Sequence, residues 1–295
     1  MTFGKVSVLC NRRSGPVRSR MDRVRRAIES HWPAREIRWW FPSSRDESLR
    51  LVRGAVSDGT ECVLVCGGDG TAASVGAELA GTDVVLAVLP LGSGNGLARH
   101  FRESLCPERA VEQLAAGAVR RMDVGLANDR IFLVSASFGW DAELVRAYDA
   151  LPFRGVPSYA LAGARVLGRR APSATLRFGD GESVRIDAPL LLSVGNLAGW
   201  GGGALIDDEA NEADGRLELV ALPRRCALSA LFALRRVFRR GAKALPHALF
   251  RRFATLRIER PAPGPVQLDG EWVEPASAIE ISVRPQALRI LAPAA

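Results

Sequence analysis

Gly67-Gly68-Asp69-Gly70-Thr71 follows directly on the apolar run Glu61-Cys62-Val63-Leu64-Val65-Cys66. A strand that ends in such a loop presents bare backbone N–H groups at the edge of a sheet. Those donors can meet phosphate oxygens without side-chain obstruction, and glycine permits the turns required. The single acid, Asp69, suits a place near magnesium or near a nucleophile's proton. A second loop of the same kind, Pro90-Leu91-Gly92-Ser93-Gly94-Asn95-Gly96, follows another apolar run over residues 84–89. Two glycine-rich loops at the ends of consecutive strands read as one nucleotide-phosphate site; one alone would be weaker evidence, and the plainer alternative for GGDGT is a tight turn between strand and helix. Neither matches G-x-x-x-x-G-K-[ST] or G-x-G-x-x-G, which excludes a Walker ATPase and an ordinary dinucleotide fold.

Around these loops the pattern alternates between strand and helix. Residues 3–10, 37–41, the run before Gly67 and the run before Pro90 read as strands. Residues 18–30, 46–57, 72–79 and 105–117 read as helices. Such alternation predicts a parallel sheet with helices on both faces, whose ligands bind at the C-terminal strand ends. After Asp123 the strand-like runs shorten and turn signals multiply, over 131–138, 174–178, 183–186, 190–194, 217–222, 254–259, 266–268 and 278–283. That grammar predicts an antiparallel sandwich or barrel, interrupted by helices near 142–151, 158–167 and 227–240.

Bulk properties narrow the class. The chain has 295 residues, enough for two domains, and 47% hydrophobic content. No apolar run reaches the roughly 18 residues of a membrane span. The N-terminus leads into a strand without a signal-peptide pattern, so a cytosolic location is expected. Five cysteines, odd in number and without zinc spacing, read as reduced and packed. The net charge of +8 is concentrated: residues 224–252 carry nine Lys/Arg and no acid, and without them 31 basic residues face 32 acidic ones. Within that segment Leu228, Leu231, Leu234 and Phe238 share a helical stripe that Arg235, Arg236, Arg239 and Arg240 terminate. A basic amphipathic helix suits an anionic bilayer; the plainer alternative is a core-packing helix with a solvated basic end. No aromatic-interleaved or helix-turn-helix pattern accompanies the charge, which argues against nucleic acid.

Six motifs, in order, resemble the diacylglycerol kinase catalytic-domain superfamily, in particular its soluble bacterial lipid-kinase branch related to sphingosine kinases. They are Asn11 with Ser14-Gly15, Gly67 to Thr71, Pro90 to Ala98, Phe138-Gly139-Trp140-Asp141-Ala142, Asn196 with Gly201-Gly202-Gly203 and then Asp214-Gly215-Arg216-Leu217, and Gln267-Leu268-Asp269-Gly270-Glu271. The resemblance spans nearly the whole chain. GGDGT alone would not specify it, because NAD kinases share that motif. Gly96 stands where many members have Asp, and the run 206–211 lacks the proline that bacterial members place before the D-G turn.

The resemblance implies an NAD-kinase-like α/β nucleotide domain over residues 1–122, completed by 286–295, and a β-sandwich lipid-binding and catalytic domain over 123–285. It implies ATP and magnesium as cofactors and the hydroxyl of a membrane lipid as acceptor, at the inner face of the membrane. Diacylglycerol is the default acceptor, followed by a sphingoid or other long-chain alcohol. NAD kinase and a catalytically silent lipid- or nucleotide-binding regulator are the rival readings.

Phosphoryl transfer to an alcohol needs phosphate cradling, a cation, and a base or orienting carboxylate. Asn11, Gly67, Gly68, Asp69, Gly70, Thr71, Gly92, Ser93, Gly94 and Asn95 are the nucleotide candidates; Asn95 either bonds a phosphate or holds its loop. By family analogy Asp269 is the first choice for general base and Asp69 the competing one, while Asp269-Gly270 also reads as a hairpin turn. Glu271 would orient magnesium or its neighbours. Asp69, Glu271 and Asp214 are the metal candidates. Asp141 either contacts the acceptor head group or caps the helix that follows it.

Overall fold

The computed structural model describes residues 2–10, 17–32, 34–92, 94–152, 156–166, 168–201, 204–207, 209–223, 236–237 and 241–294 of the chain. Asn11, Ser93 and nearly all of the basic stretch 224–240, with the helix expected over 227–240, lie outside the described residues. The chain divides into two compact units, Met1–Val124 with Pro285–Ala295, and Gly125–Arg284.

The first unit runs β1 (Phe3–Cys10), α1 (Val17–His31), β2 (Ala34–Trp40), α2 (Arg45–Ser57), β3 (Cys62–Gly67), α3 (Asp69–Leu79), β4 (Val85–Pro90), α4 (Gly96–His100) and α5 (Pro107–Ala115). β1 pairs in parallel with both β2 and β3, and β3 with β4. Every residue of β3 and β4 is buried, as a central parallel strand covered on both faces requires. Cys62, Leu64, Cys66, Ala87 and Leu89 form one core with Val24 and Ile28 of α1 and Val111 and Leu114 of α5. Each such aliphatic side chain contributes roughly 1.5–3 kcal/mol on burial. Cys62 and Cys66 are packing residues, as their spacing predicts, and Cys10 is buried with them, whereas Cys106 is exposed.

Local chemistry sets the helix ends. Ser44 caps α2 by accepting the Glu47 N–H at 3.1 Å, while the Glu47 carboxylate accepts the Ser43 N–H at 2.7 Å. α3 begins earlier than expected: its first residue is Asp69, with Gly68 at the N-cap. Residues 69–71 are therefore the first helical turn rather than a loop, because an acid there is favoured by the helix dipole.

The second unit comprises the end of β5 (Ala118–Ala127), whose larger part belongs to the first unit, then β6 (Arg130–Phe132), β7 (Ser135–Ser137), α6 (Trp140–Asp149), α7 (Val156–Val166), β8 (Ala174–Phe178), β9 (Ser183–Ile186), β10 (Pro189–Gly195), β11 (Gly199–Gly201), β12 (Ala204–Leu205), β13 (Leu217–Pro223), β14 (Leu249–Phe253), β15 (Thr255–Leu268) and the larger part of β16 (Glu271–Ala292). Its antiparallel order is β14-β13-β10-β7-β15-β16, with β8 and β9 added on the early half of β15. Phe132, Phe138, Leu176, Leu192, Leu219, Ile258 and Ile281 fill its core. The end of β16 returns to the first unit, where Ile290 pairs in parallel with Leu86 of β4. The fold class is an α/β N-terminal domain with a β-sandwich-like C-terminal domain.

Three strand expectations need correction. Residues 131–138 are not one strand, because the N–H groups of Leu133 and Val134 turn away to the Asp269 carboxylate, 2.7 Å from each. Residues 254–259 and 266–268 belong to one strand, β15, whose register shifts between Glu259 and Val266. Arg260 stabilises that irregularity. It is 6% exposed and donates to the carbonyls of Phe138 (2.9 Å), Pro265 (3.0 Å), Gly264 (3.1 Å) and Ala276 (2.6 Å). Residues 278–283 and the chain's final strand likewise merge into the 22 residues of β16.

The basic segment is partly neutralised within the fold. Arg251 pairs with Asp180 and Glu182 and stacks on Phe178. Arg252 lies 3.0 Å from Asp207 and 3.5 Å from Glu218, and Lys243 pairs with Glu209 and Asp207. These three cations are committed to ion pairs rather than free for a membrane. Among the described residues no helix is long and apolar enough to cross a membrane.

Arg260→Leu should destabilise the protein by about 2–4 kcal/mol, because three buried carbonyls and one half-buried one lose their donor. Urea unfolding measures this; a change below about 0.5 kcal/mol, the range of inconsequential surface changes, would show that the guanidinium is dispensable.

Candidate active site

The two glycine loops meet backbone to backbone. A Cβ added to Gly92 would lie 2.5 Å from Gly68 Cα, and one added to Gly68 would lie 3.1 Å from Gly92 Cα. No side chain fits at that crossing, so glycine is required for contact rather than for turning. The Leu91 N–H donates to the Gly67 carbonyl at 2.9 Å and extends the β3–β4 pairing into the loops. Asn95 sits at φ 51°, a conformation asparagine tolerates. Its side chain accepts from the Gly92 N–H at 3.0 Å and donates to the Gly92 carbonyl at 2.9 Å. Of its two readings, Asn95 takes the loop-holding one.

Asp69 ties the loops together. Its Oδ1 accepts the N–H of Gly96 at 2.7 Å and of Leu97 at 3.4 Å. Burial pushes its carboxyl up, against the N–H groups of residues 95–97 and the charge of Arg99. Gly67, Gly68, Gly70, Thr71, Gly92, Gly94, Asn95 and Asp69 therefore fall in one cluster at the C-terminal ends of β3 and β4. Asp69 and Gly70 open α3 with N–H groups that have no acceptor one turn back. A cleft of about 650 Å³ lined by Phe3, Thr60, Glu61, Asp83 and Arg289 lies at the opposite strand ends and involves none of them.

In the second unit, Asp269 (φ 49°) and Gly270 (φ 88°) form the two-residue turn between β15 and β16, so the hairpin reading holds. Asp269 does more than turn the chain. Its Oδ2 accepts Leu133 N–H at 2.7 Å, and its Oδ1 accepts Val134 N–H at 2.7 Å and Ser135 N–H at 3.0 Å. Both carboxylate oxygens are thus fixed in place. Glu271 opens β16 opposite Leu268. Asp141 lies in the first turn of α6, whose N-cap position belongs to Gly139, so it does not cap in the expected way. It accepts Gly139 N–H at 3.1 Å, and burial pushes its carboxyl up to about 7, partly opposed by Ser137 and backbone donors.

Asp214 is exposed and accepts the N–H of Arg216 at 3.0 Å in its own turn. Among the described residues no three His, Cys, Asp or Glu side chains gather closely enough to hold a metal ion.

Several residues were not anticipated. Glu103 is 8% exposed, and burial alone pushes its carboxyl up to about 9. Glu218 is 1% exposed, and burial pushes it to about 7. Glu103 stands between Arg102 and Ser104 and reads as solvated, and Glu218, between Leu217 and Leu219, reads as the outward-facing residue of a strand. Ser135 and Ser137 do carry a signal: their two-residue spacing in a strand puts both on one face.

Residues 5–127 match the diacylglycerol kinase catalytic domain, and residues 134–292 match the YegS C-terminal NAD kinase beta sandwich-like domain. The chain is 31% identical to a probable lipid kinase, YegS-like, of Pseudomonas putida over 84% of this chain and 82% of that one. It is 29% identical to a diacylglycerol kinase of Mycobacterium tuberculosis over the same shares. A crystal structure of a putative diacylglycerol kinase from Bacillus anthracis superposes with TM-score 0.80 at 17% identity, covering 99% of this chain and 98% of that one. The chain belongs to the diacylglycerol kinase catalytic-domain family of lipid kinases, an assignment that carries ATP use with it.

Gly92→Ala should weaken ATP binding at least tenfold, because the new methyl forces the loops apart, while the far-ultraviolet circular dichroism stays unchanged. Unaltered affinity in titration calorimetry would refute the close-approach argument. Stability should also fall as pH rises. Asp141, Glu218 and Glu103 keep protons in the folded chain that the unfolded chain releases above about pH 4. The urea midpoint should therefore drop from pH 5 to pH 9 as pH passes their folded values near 7 and 9. Glu103→Gln should lessen that drop; an equal or larger drop in the variant would contradict it.

Proposed function

We propose that this lipid kinase transfers the γ-phosphoryl group of ATP to the free hydroxyl of diacylglycerol at an anionic membrane surface. The observation that carries the donor half is the crossing of Gly68 and Gly92, with Asp69 bonded to the second loop. Bare N–H groups beside a glycine-only contact suit phosphate oxygens. The choice of acceptor is supported by the likeness, across both domains, to the mycobacterial relative named diacylglycerol kinase. A sphingoid or other long-chain alcohol is the next acceptor to test.

Each residue has a stated task in this reading. Gly68, Gly70, Thr71, Gly92 and Gly94 receive the phosphates. Asp69 orders the two loops and is the carboxylate that would hold a magnesium ion beside the phosphates. When bound with the nucleotide, magnesium would offset charge on the phosphates. Asp269 takes the hydroxyl proton: three backbone donors fix its orientation, so little reorganisation is needed as the bond to phosphorus forms. Asp141 accepts a hydrogen bond from the head group of the acceptor. Asp214, exposed and occupied with its own turn, has no role in transfer here.

The membrane contribution rests on the basic residues of segment 224–252 that remain after Lys243, Arg251 and Arg252 are committed to ion pairs. Arg236, the one of them among the described residues, is exposed. Each near-surface cation contributes about 1 kcal/mol on an anionic leaflet. The protein acts at the cytoplasmic face in this reading.

The test is transfer of labelled γ-phosphate from ATP to a lipid panel, in anionic and in zwitterionic vesicles, with magnesium. Diacylglycerol should be labelled fastest, and faster in anionic vesicles. Asp269→Asn and Asp69→Asn should each lower kcat at least 100-fold, the lower end of a general-base contribution. Retention of transfer by both variants, or labelling of another lipid alone, would overturn the reading.

A further inference from the structure

One face of the second unit's sheet carries a row of polar side chains that no step described above uses. Ser193 of β10 pairs across the ladder with Ser137 of β7. Ser137 pairs in turn with Gln267 of β15, whose other neighbour is Trp272 of β16. Directly paired residues share a face of the sheet, so all four side chains line one side. Helix α6 packs on that side, where the Arg146 guanidinium lies 4.5 Å from the Trp272 ring centroid. Ser193, Ser137 and Gln267 are buried, and Trp272, where the row ends, is half-buried.

The two serines are satisfied within the fold. Ser193 Oγ donates to the Ala136 carbonyl at 3.1 Å and accepts the Trp200 indole N–H at 2.6 Å. With its one proton spent, it accepts from Ser137 at 3.1 Å. Gln267 differs. It is 5% exposed, and its amide oxygen Oε1 is buried without a hydrogen-bond partner. Neither the Ser137 hydroxyl on one side nor the Trp272 indole on the other serves it. A methionine or leucine would pack here without leaving a polar atom unpaired, so the amide lowers the stability of the free protein. A buried acceptor kept without a donor calls for an explanation outside packing. Gln267 stands two residues before Asp269, about 6–7 Å along the strand. Asp269 takes the hydroxyl proton in the reading above, so the unmet acceptor lies beside the place where an alcohol reacts. The donor it suits is neutral, because an amide oxygen carries no charge to offset a buried ammonium.

We infer that Gln267 is a specificity-determining residue whose Oε1 accepts a hydrogen bond from a second hydroxyl of the acceptor, vicinal to the one that is phosphorylated, so that the enzyme also takes monoacylglycerol. This rests on the transfer role proposed above for Asp269. In diacylglycerol the neighbouring oxygen is esterified and cannot donate, so Oε1 stays as it is in the free protein. In 1-monoacylglycerol the 2-hydroxyl supplies the missing donor. The transfer itself is unchanged. The 3-hydroxyl oxygen bonds to the γ-phosphorus, the bond from that phosphorus to the bridging oxygen breaks, ADP leaves, and the hydroxyl proton passes to Asp269.

The experiment measures kcat/KM of the full-length protein in mixed micelles with saturating ATP and magnesium. The acceptors are diacylglycerol, 1-monoacylglycerol, and the monoester of 1,3-propanediol with the same acyl chain, which lacks only the 2-hydroxyl. The wild-type protein should phosphorylate monoacylglycerol about tenfold better than the deoxy ester, the size expected of one hydrogen bond. In Gln267→Met, which keeps the bulk and removes the amide, the two esters should agree within about twofold. That variant should keep its diacylglycerol value and its ATP KM within about twofold of wild type. A preference that persists in Gln267→Met, or equal use of the two esters by the wild type, would overturn the inference. So would a lower urea midpoint in Gln267→Met, which would show the amide bonded within the free protein; removal of an unpaired acceptor should leave the midpoint unchanged or raised. If no lipid is labelled, the transfer reading fails and the inference falls with it. If diacylglycerol is labelled and monoacylglycerol is not, the inference alone fails. Should Gln267→Met not fold, Gln267→Leu and the wild-type comparison of the two esters still decide the matter.

Discussion

Gly68 and Gly92 approach so closely that neither position has room for a side chain. Much of the first unit follows from that contact. The two loops can touch only if β3 and β4 are adjacent and in register, which their fully buried apolar sequences secure. Asp69 then has its partners within reach, because the crossing brings the N–H groups of Gly96 and Leu97 beside the first turn of α3. Asn95 closes the second loop on itself. The loop backbone is thereby shaped before any ligand arrives, and preorganised N–H donors need little reorganisation when charge develops on a phosphate.

The second unit solves a different problem, that of placing charge inside a β-sandwich. Asp269 is held by three N–H groups of the 133–135 segment, so one residue sets the β15–β16 turn and interrupts the neighbouring strand. Asp141 is held by neutral donors, and Asp207 by Arg252 and Lys243. Burying carboxylates lowers stability, most plainly where burial raises the proton affinity of Asp141 and Glu218. Acids kept at such a cost, outside the apolar core, accord with residues retained for chemistry or orientation rather than for folding.

Sequence periodicity made the α/β alternation and the β-rich second half legible, because buried central strands and amphipathic helices leave period-specific patterns. It failed where hydrogen bonds compete with the ladder. Leu133 and Val134 are apolar and read as strand, yet their N–H groups serve Asp269 from 135 or more residues away in the chain. Asp69 read as a loop residue because GGDGT looks like a turn, whereas a helix dipole draws it into α3. The motifs located the candidate site but not its bonding: Asn95 spends its amide on Gly92. Lys243, Arg251 and Arg252 looked like free surface charge, and their acidic partners are distant in sequence. Buried Glu103, Glu218 and Arg260 could not be found from the sequence, since charge alone reads as exposure.

A crystal structure with a non-hydrolysable ATP analogue bound tests the central claim most directly. The account predicts the triphosphate against the backbone N–H groups of residues 68–71 and 92–94, with Gly68 and Gly92 still in contact and Asp69 still bonded to Gly96. A triphosphate bound elsewhere, or one seated only after the two loops separate, would contradict it.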